Sequence, residues 1–129
     1  MDRQEMLERA KAAREKIARQ EAPFVELSPG TELMGSIYRI EQFKSKKGQY
    51  LTFLYAELFD EDGTVSYHKI SGHGGLLWGL AQEGILALVS EEGAEKKIYK
   101  LVDSKSAVLM VYMGQDVESE IHNWGVAKV

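Results

Sequence analysis

Residues 32–71, ELMGSIYRIEQFKSKKGQYLTFLYAELFDEDGTVSYHKIS, decide how the chain folds. β-Branched, aromatic and other apolar residues fall into three runs, separated by two breaks rich in turn formers. The first break, Lys44-Ser45-Lys46-Lys47-Gly48, is a short basic loop with a Gly suited to positive φ. The second, Asp60-Glu61-Asp62-Gly63, ends on Asp-Gly, a pair favoured in tight hairpin turns. The pattern predicts three antiparallel strands in a meander, the first two about ten residues long and strongly coiled.

Alternation along the middle run separates two faces. Thr52, Leu54, Ala56 and Leu58 share one side, while Leu51, Phe53, Tyr55, Glu57 and Phe59 share the other. The first set suits a core. The second stands aromatic rings near the basic loop, which is the combination that single-stranded nucleic acid requires: faces on which bases stack and cations for phosphates. The alternative is that Phe53 and Tyr55 pack beneath the N-terminal helix or in a dimer interface.

At 129 residues the chain is long enough for one independent core without metal or disulfide support. It contains no Cys, which excludes disulfides, thiolate catalysis and Cys-based zinc sites and fits a reducing cytosol. A charged N-terminus without an apolar signal core, and the lack of any apolar run of bilayer length, predict a soluble cytoplasmic protein with no membrane association. The formal net charge of −4 argues against coating duplex DNA by charge alone. Positive charge nevertheless gathers at Arg39, Lys44, Lys46, Lys47 and Lys69, and again along the N-terminal segment.

Residues 2–21, rich in Ala, Glu, Lys, Arg and Gln, predict a helix with a thin apolar stripe of Met6, Ala10, Ala13 and Ile17. Ala22-Pro23 ends it. Residues 1–22 therefore form a charged helical extension and residues 23–129 the domain. After the meander, Leu76, Leu77 and Leu80 suit one face of a helix that stops near Gly84. Trp78, flanked by these leucines, is expected to be largely buried. Residues 85–89 allow helix or strand, Glu91-Glu92-Gly93 is a break, and Ile98, Leu101 and Val102 mark a second amphipathic segment. Residues 106–113 alternate as a strand, and residues 121–129 as a closing strand carrying Trp124. The expected fold is mainly β: a five-stranded OB-fold Greek-key barrel with an inserted helical connector between strands 3 and 4 and an N-terminal helical extension. Gly35 in the first strand fits the sharp coiling of such a barrel. An open α+β sheet is the alternative.

With these pieces in place, the chain resembles the phage-encoded single-stranded DNA-binding proteins of OB-fold type. The resemblance rests on Gly35-Ser36-Ile37, Lys47-Gly48-Gln49-Tyr50, Leu58-Phe59-Asp60-Glu61-Asp62-Gly63 and Val111-Tyr112-Met113-Gly114, and extends over roughly residues 31–129. It implies non-catalytic binding of single-stranded DNA in phage-type replication, recombination or repair, inside the host cytoplasm. The stacking residues would be Phe53 and Tyr55, with Tyr50 and Tyr67 in support. Arg39, Lys44, Lys46, Lys47 and Lys69 would hold phosphates. One departure is visible: bacterial relatives end in an acidic tip that recruits partners, whereas these residues end Trp124-Gly125-Val126-Ala127-Lys128-Val129.

Other motifs carry less. The spacing from Asp60 fails the ligand pattern of a calcium loop, and His68, His73 and His122 lack partners at metal-binding spacing. Gly72-His73-Gly74-Gly75 lacks the Lys-Ser/Thr of a phosphate-binding loop. No nucleophile and base stand at recognisable spacing, so neither enzymatic activity nor a metal or cofactor is expected. The second functional reading is an OB-fold protein-interaction module, in which the aromatic face and N-terminal helix dock on a replication, host-defence or virion protein without binding nucleic acid; the N-terminal helix also suits pairing with a second copy.

Overall fold

The computed structural model describes residues 2–91 and 97–129. Helix α1 (Arg3–Gln20) precedes β1 (Glu32–Lys44), β2 (Tyr50–Phe59), β3 (Val65–Ser71), α2 (Gly74–Gln82), β4 (Leu86–Glu91), β5 (Lys97–Leu101), β6 (Val108–Gln115) and β7 (His122–Lys128). Five strands form one antiparallel sheet in the order β3-β2-β1-β6-β7, and β4 pairs with β5 in a separate hairpin. The return of β6 to lie beside β1 is a Greek-key order.

The meander forms where its turn chemistry places it. Gly48 and Gly63 take φ of 82° and 84°, a region that costs other residues strain. Strand β1 is long because it serves two neighbours: residues 32–35 pair with β6, and residues 35–44 with β2. Gly35 stands at the handover, and a Cβ there would collide with the Glu57 backbone carbonyl. Three residues on, the register slips between Ile37 and Arg39. Ile37 and Ile40 remain on the inner side opposite Ala56 and Leu54, while Tyr38 and Arg39 both stand over Tyr55 on the outer side.

The inner rows Ile37, Leu54, Ala56, Leu58 and Ile70 pack with Val108, Met110 and Tyr112 of β6 and Trp124 of β7. Helix α2 adds Leu76, Leu77 and Leu80 to the same core. It lies close on β7, where Gly79 faces Val126 and Gly75 faces the His122 carbonyl. The segment before β1 is fixed beside β3: Lys69 N–H donates to the Pro23 carbonyl at 2.8 Å, and Val25 N–H to the Lys69 carbonyl at 2.9 Å.

Several expectations need correction. The five-stranded closed barrel is not what forms: among the described residues no pairing joins β3 to β7, so the sheet is open, and those residues carry seven strands. The connector is a helix followed by a hairpin. Gly84, at φ 76°, ends α2; residues 85–89 then enter β4, and the segment with Ile98 and Leu101 is β5 rather than helix. The break at Glu91-Glu92-Gly93 lies, from residue 92 on, outside the described residues. Trp78 is exposed, at 61%, while Trp124 is buried, at 9%. No helix among the described residues is long and apolar enough to cross a membrane.

Deleting residues 121–129 should remove β7, which pairs with β6's second edge, together with the Trp124 indole. The loss expected for the indole alone is about 3–5 kcal/mol. Urea unfolding should therefore show a large fall in midpoint, whereas deleting residues 1–9, of which residues 2–9 are exposed, should leave the midpoint nearly unchanged. A β7 truncation that unfolds with the full chain would remove β7 from the cooperative unit.

Candidate functional site

The sequence-predicted residues are split between two sides of the sheet. Tyr50 shares its parity with Thr52 and Leu54 and continues the inner row of β2 beyond the end of the core. Phe53 and Tyr55 belong to the outer row, with Tyr67 and Lys69 beside them on β3 and Arg39 on β1. Lys44, Lys46 and Lys47 stand on or next to the β1–β2 turn, at the edge where one side passes into the other.

On the inner side a groove of about 570 Å³ opens between the start of β2, helix α2 and strand β5. Tyr50, Trp78, Ile98 and Tyr99 contribute its apolar walls. Its floor is fastened by one amide: Gln42 Nε2 donates to Thr52 Oγ1 and to the Lys97 carbonyl, both at 3.0 Å. The Tyr99 backbone N–H donates to Gln42 Oε1 at 2.9 Å. Gln42 thereby ties β5 to β1 and β2 without bringing a charge into the groove. Trp78 points outward because α2 uses Leu76, Leu77 and Leu80 for the core, leaving position 78 about 150° around the helix from that stripe. Tyr50, 46% exposed, lies with the Lys44 ammonium 5.9 Å from its ring centre. Lys46 and Lys47 are exposed on the turn. Among the described residues, Lys44, Lys46 and Lys47 form no ion pair.

On the outer side the rings are already covered. Tyr55 is 5% exposed; its hydroxyl donates to Glu41 Oε2 at 3.3 Å, and the Arg39 guanidinium lies 4.8 Å from its ring centre while pairing with Glu41 at 2.8 Å. Burial, with Glu41 next in effect, raises the Tyr55 pKa above its ordinary value. Phe53 is held edge-on between Phe24 and Phe43, at centroid distances of 4.8 and 5.1 Å. The Lys69 ammonium sits 4.9 Å from the Phe24 ring. Tyr38, turned outward by alternation from the inward Ile37 and marked by no motif in the sequence, meets Tyr67 edge-on at 5.9 Å.

Arg19 of α1 closes over these two rings. Its guanidinium lies 5.7 Å from the Tyr38 centroid and 5.2 Å from that of Tyr67. It pairs with Glu57 at 3.7 Å, and the Tyr38 hydroxyl donates to its carbonyl at 2.9 Å. Among the described residues, Arg19 alone of α1 bonds or stacks with the sheet. Between α1 and β1 a cleft of about 480 Å³ stays open, bordered by Lys16, Arg19 and Arg39. Exposed cation–π contacts contribute about 0.5–1 kcal/mol each and exposed ion pairs about 0.2–1 kcal/mol, so the helix is weakly held.

A third cluster is structural. His73, at the start of α2, stacks on His122 of β7 with centroids 3.7 Å apart and planes 6° from parallel. Trp124 Nε1–H donates to His73 Nδ1 at 3.1 Å, and the Tyr112 hydroxyl lies 2.7 Å from His122 Nδ1. These bonds fix α2, and hence Trp78, against the sheet. His68 is engaged with Ser66 at 3.2 Å. Among the described residues no three His, Asp or Glu side chains converge on a metal position. The chain matches no protein-family model, no curated protein and no solved structure.

Burial first, then the neighbouring His122, lowers the His73 pKa from 6.5 to about 4. The neutral ring is the form the fold favours, so its stabilisation is complete above pH 6.5 and lost as pH falls towards 4. The full shift corresponds to roughly 3 kcal/mol. Because the residue is only partly buried, solvent screening reduces this to about 1–2 kcal/mol. Melting temperatures across this range should fall more steeply for the native protein than for His73→Gln, which keeps an acceptor for Trp124 but does not titrate. Parallel curves would show that His73 is not the acid-sensitive group.

Proposed function

We propose that the protein binds single-stranded DNA without catalysing a reaction on it, seating bases in the groove between Tyr50 and Trp78 and phosphates along the Lys44-to-Lys47 turn. The observation that carries this reading is Trp78, a large ring left 61% exposed beside an open groove whose other wall includes Tyr50. Aromatic faces and unpaired lysines at one mouth are what an unpaired strand requires, and stacking accepts any base. The groove volume falls within the range usual for ligand sites. As a proposal, too, the sheet is an open relative of the OB-fold, since the meander, the helix after it and the returning pair β6–β7 follow the OB order. The phage-type replication or recombination setting follows from the resemblance noted above. The protein-interaction reading is favoured by the net charge of −4 and by outer rings already covered by the chain's own cations.

Replacing Trp78 by Ala should weaken binding of a labelled oligothymidine about tenfold, since stacking contributes roughly 1–3 kcal/mol per base. Its exposure predicts little change in melting temperature. Fluorescence anisotropy at rising salt should give a slope of log K against log salt near −2 if three lysines meet phosphates, reduced by about 0.7 for each lysine replaced. A protein partner held by apolar contact would respond far less. Absence of binding by the folded protein at low salt would refute the reading.

A further inference from the structure

The outer tyrosines form a second platform. Tyr38 of β1 and Tyr67 of β3 are half-buried rings that meet edge-on across β2 on the outer side, and a guanidinium, itself a flat cation, lies over both. A base stacked there would occupy the volume that Arg19 now fills. The cover is poorly secured: no residue of α1 is buried, the Arg19 side chain is 49% exposed, and an open cleft separates the helix from β1. Its far side is fixed, because Ala22 is buried and the Pro23 and Val25 backbones bond to Lys69. Helix α1 is thus a lever hinged at residues 20–22 and fastened at its base by the Arg19 side chain and by one hydrogen bond from the Tyr38 hydroxyl to the Arg19 carbonyl.

We infer that Arg19 is an autoinhibitory clasp: α1 swings away when single-stranded nucleic acid takes its place on Tyr38 and Tyr67, so that one strand is held on both sides of the lysine turn. This rests on the strand-binding reading above and extends it to a second segment of the same strand. Of the cleft's cations, Arg39 stays on β1 and would then meet the strand's phosphates, Lys16 leaves with α1, and the carboxylate of Glu57, released from Arg19, would disfavour those phosphates. Uncovering the rings therefore matters more than the charge removed with Arg19. The direction of the effect is diagnostic, since taking a cation from a nucleic-acid-binding surface ordinarily weakens binding.

The test compares the full chain with Arg19→Ala, Arg19→Ala/Tyr67→Ala and Trp78→Ala, by anisotropy with a labelled oligothymidine. Arg19→Ala should bind about tenfold tighter, the factor by which a platform open about a tenth of the time lowers apparent affinity, and adding Tyr67→Ala should abolish the gain. Trypsin should also cut the native chain within α1 faster when oligothymidine is present. Equal or weaker binding by Arg19→Ala, with Trp78→Ala still impaired, would overturn the clasp and leave the groove reading standing. Should the full chain fail to bind while Arg19→Ala binds, the clasp is sustained and the groove reading falls. Should neither bind, both fall.

Discussion

Strand β1 is flanked on both edges, and the whole arrangement depends on the one residue where its two partners overlap. Gly35 pairs with Leu58 of β2 and with Val108 of β6, and the Glu57 carbonyl occupies the space a Cβ would need. Any larger residue would push β2 away or force β1 to turn sooner, displacing the β6–β7 pair from the core that Val108, Met110 and Trp124 complete. Close packing makes such displacements costly, because neighbouring side chains have little room to relax. Position 35 therefore governs parts of the chain far from it in sequence.

Helix α2 inherits its placement from that pair. It rests on β7 through Gly75 and Gly79, and the ring stack of His73 on His122 fixes its start. Since its three leucines are committed to the core, the helix has no freedom to rotate Trp78 inward. The exposed indole is a consequence of packing elsewhere. Opposite it, β5 stays in place because the Gln42 amide satisfies both Lys97 and Tyr99 backbone groups. A groove kept open by hydrogen bonds within the protein loses less entropy on binding than one that must form around its ligand.

What could be read from the sequence followed local chemistry. The meander was legible because its turns carry their own signatures in Gly48 and Asp62-Gly63, and the division of β2 into two faces follows from alternation alone. Helix α2 was legible too, and the same stripe of Leu76, Leu77 and Leu80 that marks it also places position 78 on the far side, so the exposure of Trp78 was available from the helical period. By contrast, β4 and β5 are short runs in which helical and extended periods cannot be separated. The coverage of Tyr55 was not legible, because it depends on the bulge that sets both Tyr38 and Arg39 over its ring, a feature of strand pairing that no local motif announces. Tyr50 was selected for its ring, yet only the end of the core decides that its side of β2 is the open one.

The distribution of charge explains why the two sides of the sheet differ in what they offer. Over the outer tyrosines, cations and anions answer one another: Arg39 has Glu41, and Arg19 has Glu57, while Lys69 lies to one side against the Phe24 ring. A phosphate approaching there meets fields that largely cancel within a few ångströms, and must displace a carboxylate before it gains a partner. Exposed pairs of this kind are individually weak, so displacement is feasible, but it consumes part of what the new contact supplies. At the β1–β2 turn no such exchange is needed. Lys46 and Lys47 extend from a two-residue tip where the backbone is already fixed by Gly48, and with a Debye length near 8 Å at physiological salt their attraction reaches across the groove mouth but not around the molecule. An anionic strand would therefore be captured first beside Tyr50 and Trp78. On the proposed reading the outer rings would become accessible only after a competing cation had been moved aside, and the order of engagement would follow from where the described residues leave positive charge without a carboxylate partner.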